Sequence, residues 1–284
     1  MRASHLLPLA FLLLIIGCDK IDMPDNPKPT TAGCTGNGYG FRRVLLEEYT
    51  GFRCTNCPVA AETAHELDDF YCGDLIIVGM HVSASFAAPT ATPPDPFSTD
   101  FRTAAGETYL ATFPPSGLPN GLVSRRTYNS SHVVPPGSWG SATSEILGQP
   151  AQFEVVFETV QYTSGTELVD LTIKVPVLRD TTGDFNLTIY LIEDHVPEGQ
   201  LDARVTPPEV FPYDHRHVLR DNINGTWGQS IFTGSASIGD TATVTASYTL
   251  PAPVLEPANC YLVVYVYRVD NNEIMQVSER KLIP

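Results

Sequence analysis

Two cysteines three residues apart, Cys54 and Cys57, are the side chains of this sequence whose type and spacing most readily do chemistry. They follow an apolar stretch, Val44-Leu45-Leu46-Glu47-Glu48-Tyr49-Thr50, and a Gly51-Phe52-Arg53 corner. Pro58 and a helical pattern over 59–70 come next. A C-x-x-C pair serves zinc sites as well as redox sites, but no second Cys or His pair stands at metal spacing. Between a strand and a helix the pair reads as a thiol–disulfide site. The unpaired N–H groups and positive dipole end of the helix stabilise a thiolate at Cys54, and Arg53 adds charge of the same sign. Cys57, one turn on, can resolve a mixed disulfide on Cys54. The opposing reading is a permanent structural disulfide in a fold kept for binding.

The N-terminus sets the compartment in which those thiols work. Arg2 precedes an apolar run over 6–16, too short for a spanning helix. The run ends in Ile15-Ile16-Gly17-Cys18, which resembles a bacterial lipobox, whose cysteine is diacylated and becomes the mature N-terminus. Residues 1–17 are therefore expected to be a lipoprotein signal peptide, with Cys18 lipidated. Residues 18–40, rich in Pro, Asn, Thr and Gly, are expected to be a flexible tether. An exported chain keeps disulfides. The strand before the motif runs toward the active-site end and the helix runs back, so Cys34 and Cys72 are expected to meet at the far end as a structural disulfide. Cys260, opening an apolar strand, is expected to be a buried inert thiol.

The net charge of −15, from 32 acidic and 17 basic residues, argues against nucleic acid as a partner. It also argues against adhesion to an anionic membrane beyond the lipid anchor. With 43% hydrophobic residues the chain can bury substantial cores.

The elements that must position the cysteines lie over 41–149, where strand and helix signals alternate. Residues 75–82 form a near-continuous apolar run, as for a strand covered on both faces. Helices are expected over 98–110 and 138–147. From 150 to 284 the period becomes two. Phe153, Val155 and Phe157 alternate with polar residues, as do Val169 to Val175 and Leu187 to Leu191. Further strands are expected over 241–250, 260–269 and 274–282. The predicted fold class is an α/β domain followed by an all-β antiparallel sandwich.

The first half resembles thioredoxin-fold proteins. Cys54 matches their nucleophile and Cys57 the resolving cysteine. The resemblance implies that Glu48, six residues before Cys54, is the buried carboxylate that moves the proton of the resolving thiol. It further implies that Pro119, between Leu118 and Asn120, is a cis-proline that presents the backbone beside it to a substrate strand. Arg53 replaces the usual Trp, and Thr-Asn replaces Gly-Pro between the cysteines.

The mature chain also resembles an outer-membrane lipoprotein family of the Bacteroidota, the twenty-eight-kilodalton outer-membrane protein family. The resemblance rests on Leu46-Glu47-Glu48-Tyr49-Thr50-Gly51, Cys54-Thr55-Asn56-Cys57-Pro58, His217-Val218-Leu219-Arg220 and Asn224-Gly225-Thr226-Trp227-Gly228. It implies an outer-membrane lipoprotein, periplasmic or surface-facing, carrying a thioredoxin-like domain. The partners expected are exported or surface proteins and peptides. The alternative is a non-catalytic surface binding or adhesion protein.

Other candidates are weaker. His81 ends an apolar strand and is expected to be a hydrogen-bonded core histidine. His215 and His217 flank Arg216 and on a strand would share one face as a metal pair, but no third ligand has suitable spacing, so a loop or domain-interface role is expected and no metal site is assigned. Gly36-Asn37-Gly38-Tyr39-Gly40 precedes a strand and reads as a linker end, not a nucleotide loop. No Ser-His-Asp pattern or phosphate loop can be argued from spacing, and no cofactor is expected.

Overall fold

The computed structural model describes residues 36–252 and 254–283. Cys18, Cys34, the expected signal peptide and most of the expected tether lie outside the described residues. The first half contains β1 (Val44–Thr50), α1 (Cys57–Phe70), β2 (Leu75–His81), α2 (Ala84–Ala87), α3 (Ala104–Thr112), β3 (Asn120–Val123), β4 (Val133–Val134) and α4 (Trp139–Ser144). The second contains β5 (Val156–Thr163), β6 (Leu168–Pro176), β7 (Thr181–Thr182), β8 (Phe185–Glu193), β9 (Val196–Leu201) and β10 (Glu209–His215). It ends with β11 (Val218–Asn222), β12 (Gln229–Phe232), β13 (Ser235–Ala236), β14 (Thr241–Thr249), β15 (Cys260–Arg268) and β16 (Ile274–Lys281).

One nine-stranded sheet organises the molecule, in the order β16-β15-β8-β11-β2-β1-β3-β4, with β12 also on β8. Strands β1 and β2 are parallel and β3 is antiparallel to β1. Every residue of β2 is buried, as its apolar run requires. The division expected between 149 and 150 does not interrupt this sheet. Strand β11 continues it from β2, with Gly79 N–H donating to His217 O at 2.8 Å. A Cβ at Gly79 would meet the carbonyl oxygens of Arg216 and His217 at 3.3 and 3.4 Å, so the glycine admits this close approach. An apolar edge on β2 is thereby paired instead of exposed.

The sheet also rolls, bringing β16 back to the first half. Ile274 N–H donates to Ser124 O at 2.8 Å, and Arg42 Nη2 donates to Ile274 O at 2.6 Å. The concave side encloses Leu45, Tyr49, Val78, Tyr109, Tyr190 and Tyr265. This explains why Thr188 and Tyr190 are fully buried although their alternation with Leu187, Ile189 and Leu191 predicts a polar outer face. On the opposite side of β1 and β2 lie α1 and α4, packed through Val44, Leu46, Ala60, Ala64, Ile77 and Trp139.

A three-stranded antiparallel sheet, β14-β6-β5, covers the outer face of β8 and β15. This is the sandwich-like layer expected from the period-two pattern. Strand β5 starts later than that pattern predicts and shifts register between Phe157 and Thr159. The irregularity changes the inward phase, so Phe157, Val160 and Tyr162 pack on the core. The helix expected over 98–110 begins only at Ala104, because the Thr103 hydroxyl caps it by accepting Gly106 N–H at 3.0 Å.

Candidate functional site

The motif occupies the corner between β1 and α1. Cys54 and Cys57 are joined by a disulfide with Cα atoms 5.4 Å apart. Cys54 N–H donates to Gly51 O at 2.9 Å, and Cys57, the first residue of α1, donates to Cys54 O at 3.2 Å. Helix dipole and motif are thus placed as the sequence predicts. Arg53 differs from expectation: its guanidinium donates to Ala84 O, and its charge is held at the start of α2. Cys72 is also disulfide-bonded, while Cys34, its expected partner, is not among the described residues.

Both sulfurs of the motif are enclosed, Cys54 being 3% and Cys57 1% exposed. Beneath Cys57 lies a cavity of about 40 Å³ whose walls include Glu48, His81, Gln200, Tyr213 and His215. Alternation along β1 aims Glu48 at this side and Glu47 at the other. Glu48 is 4% exposed, and its Oε1 has no protein partner among the described residues. Burial raises its carboxyl to about 8, so it is largely protonated at neutral pH.

His81 sits beside it on β2, opposite Thr50 in register. Among the described residues, both of its ring nitrogens are buried without a protein partner, unlike the hydrogen-bonded core histidine expected. Its ring packs on Phe101 and His215, with centroids 4.9 and 5.3 Å away. Burial holds it well below the ordinary histidine range, and the neighbouring His215 and Arg220 act in the same sense. His215 is lowered to about 4 by burial and donates from Nε2 to Gly199 O at 3.3 Å. His215 and His217 do not share a strand face, and His217 lies in the connection between β10 and β11. Strand β10 ends at His215, and His217 has φ 52° and packs against His65 at 5.1 Å instead. Among the described residues, no group of three or more His, Cys, Asp or Glu side chains is arranged to hold a metal ion.

Pro119 follows a cis peptide bond from Leu118. It immediately precedes Asn120, which pairs with Tyr49 near the motif end of β1. Sequence reasoning missed the β9–β10 hairpin, which brings Gln200 to Cys54, its Nε2 donating to Cys54 O at 3.0 Å. The stretch carries no strong alternation, and a single glutamine nearly 150 residues from the motif gives no local signal.

The outer membrane protein Omp28 family model matches residues 106–283. No curated protein matches the chain. Among solved structures, HBP35 of Porphyromonas gingivalis superposes with a TM-score of 0.60 at 17% identity, over 86% of this chain and 76% of that one. A domain of the outer membrane lipoprotein Omp28 from Porphyromonas gingivalis aligns at 20% identity over 47% of this chain and 90% of that one, with a TM-score of 0.33. At these identities HBP35 speaks to the fold alone, and it fits the β-rich architecture described above. The family match spans more than half of the sequence, and on that ground the chain belongs to the Omp28 outer membrane protein family.

Proposed function

We propose that the chain is a lipid-anchored outer-membrane lipoprotein whose Cys54–Cys57 pair exchanges disulfides with exported or surface proteins. The observation that carries this reading is the buried carboxyl of Glu48, unpartnered at Oε1, in one cavity with Cys57. Burying such a group costs stability, and a disulfide that only braces the fold has no use for it. The cavity has room for about one water molecule, which suits proton transfer between the two side chains. The β2-β1-β3-β4 order, with helices packed on both of its sides, supports a thioredoxin-like first half.

The chemistry balances without an added cofactor. A substrate thiolate attacks Cys54 Sγ, and Cys57 departs with the bonding electrons and takes the Glu48 proton. The second substrate thiolate then attacks the substrate sulfur of the mixed disulfide and releases Cys54. Two electrons pass from the substrate dithiol to the pair. The reverse sequence reduces a substrate disulfide.

One observation favours the second reading, a non-catalytic binding lipoprotein: Cys54 is almost fully enclosed. Trapping separates the two. The Cys57→Ser variant should accumulate mixed disulfides through Cys54 with envelope proteins, and the Cys54→Ser/Cys57→Ser variant should accumulate none. A Cys57→Ser chain that forms no adducts contradicts exchange.

A further inference from the structure

One element lies directly against the Cys54 corner. Strands β9 and β10 form an antiparallel hairpin, from Leu201↔Glu209 to Val196↔His215. Its far end lies along the motif. Leu201 N–H donates to Phe52 O at 2.8 Å, Ala203 N–H donates to Thr55 O at 2.9 Å, and Gln200 donates to Cys54 O. Main-chain donors at alternate residues reaching the motif's carbonyls are the contacts by which an added strand binds.

The base of the hairpin is held firmly. Glu198 accepts from Phe97 and Thr99 N–H at 2.8 and 2.9 Å, and a Cβ at Gly199 would meet Pro96 at 2.9 Å. The tip is held lightly. Residues 203–209 are exposed, and Arg204 ties them to α1 through a surface ion pair with Glu62 at 2.6 Å. Such pairs contribute little. A firm base with a weakly held tip lets the tip open locally without global unfolding.

Resting on the exchange reading above, we propose that the β9–β10 hairpin is a displaceable cover standing in the seat of the substrate, and that the substrate is an extended polypeptide. Its backbone N–H groups take over the Phe52 and Thr55 carbonyls from Leu201 and Ala203. Small thiols must wait for the tip to lift, whereas an extended chain competes for the same hydrogen bonds.

The test uses the full chain. After reduction, alkylation of Cys54 by iodoacetamide is timed in the wild type, in Ala203→Pro, which removes the donor to Thr55, and in Gln200→Ala. Both substitutions should speed alkylation by about tenfold or more while Cys260 stays unmodified. Unchanged rates in both variants overturn the cover. Should a variant unfold, as Cys260 modification would reveal, the wild type decides. Hydrogen exchange at Leu201 and Ala203 must then show the protection that Cys54 shows against iodoacetamide. Alkylation much faster than that opening overturns the cover. For the substrate class, the oxidised wild type should react with a short extended dithiol peptide about tenfold faster than with glutathione at equal thiol concentration. Equal rates overturn that assignment. The glutathione equilibrium of the pair, read in the same samples, judges the exchange reading independently of the hairpin.

Discussion

Glu47 and Glu48 are neighbours on β1, yet they face opposite cores. Glu48 turns to α1 and shares the cavity with Cys57, whereas Glu47 turns into the rolled sheet and forms a bidentate ion pair with Arg125 at 2.6 and 2.7 Å. Both partners of that pair are fully buried. One carboxyl is held neutral and the other is matched by a guanidinium, and the pleat of a single strand separates the two roles.

The first prediction concerns Glu48. Its carboxyl titrates near 8 in the folded chain against 4.5 ordinarily. The folded state therefore holds a proton that the unfolded state releases over this window. Its stabilisation is complete below pH 4.5 and is lost as pH rises through 8. The span is on the order of 4–5 kcal/mol. Denaturant unfolding of the oxidised wild type should weaken between pH 5 and 9, while Glu48→Gln should be nearly flat there. Parallel profiles would place Glu48 in contact with solvent.

Arg125 supplies the second. Tyr190 and Tyr265 accept from its Nη2 at 2.8 and 3.1 Å, and the guanidinium carbon lies 4.3 Å from the Tyr109 ring centroid. Arg125→Met strands Glu47 and should cost about 3–5 kcal/mol. Adding Glu47→Leu should recover a large part of that loss, as a double-mutant cycle of unfolding energies would show.

On the acid side, the third prediction rests on His215. Burial lowers it to about 4 from 6.5, so the unfolded chain takes up the proton first as pH falls. Its contribution is present above 6.5 and lost progressively toward 4, amounting to about 3 kcal/mol. His215→Gln should remove that part of the slope. His217, also lowered to about 4 by burial, will retain its own share.

A fourth follows from Cys260. It is fully buried, and burial pushes its thiol up to about 12, with the nearby Glu193 adding to the effect. It should resist iodoacetamide at pH 8 in the folded protein and react only on unfolding. Labelling at native-state rates would contradict this.

The legible part of the fold was whatever local pattern determines. The apolar runs of β2 and β15, the strand–motif–helix order and the alternation of β6 and β14 all read directly from residue type. The rolled sheet did not, because Tyr190 and Thr188 look like solvent-facing residues until β16 returns to Ser124. Of the site, the cysteines and Glu48 could be named from spacing and resemblance. His81 was visible only as a core residue, since its orphaned nitrogens exist only once His215 closes over them. The hairpin that brings Gln200 to Cys54 was invisible, because such contacts depend on topology rather than on neighbouring residues. Even the phase of β5 escaped, owing to one register shift after Phe157.

The proposed exchange of disulfides by Cys54 and Cys57 has a direct thermodynamic signature. The most direct test equilibrates the soluble part of the chain in thiol buffers of known potential and reads the pair by alkylation. An exchanging pair should show a reduction potential on the order of −120 to −270 mV, among the oxidoreductases. A value below about −300 mV would mark a structural staple and contradict exchange.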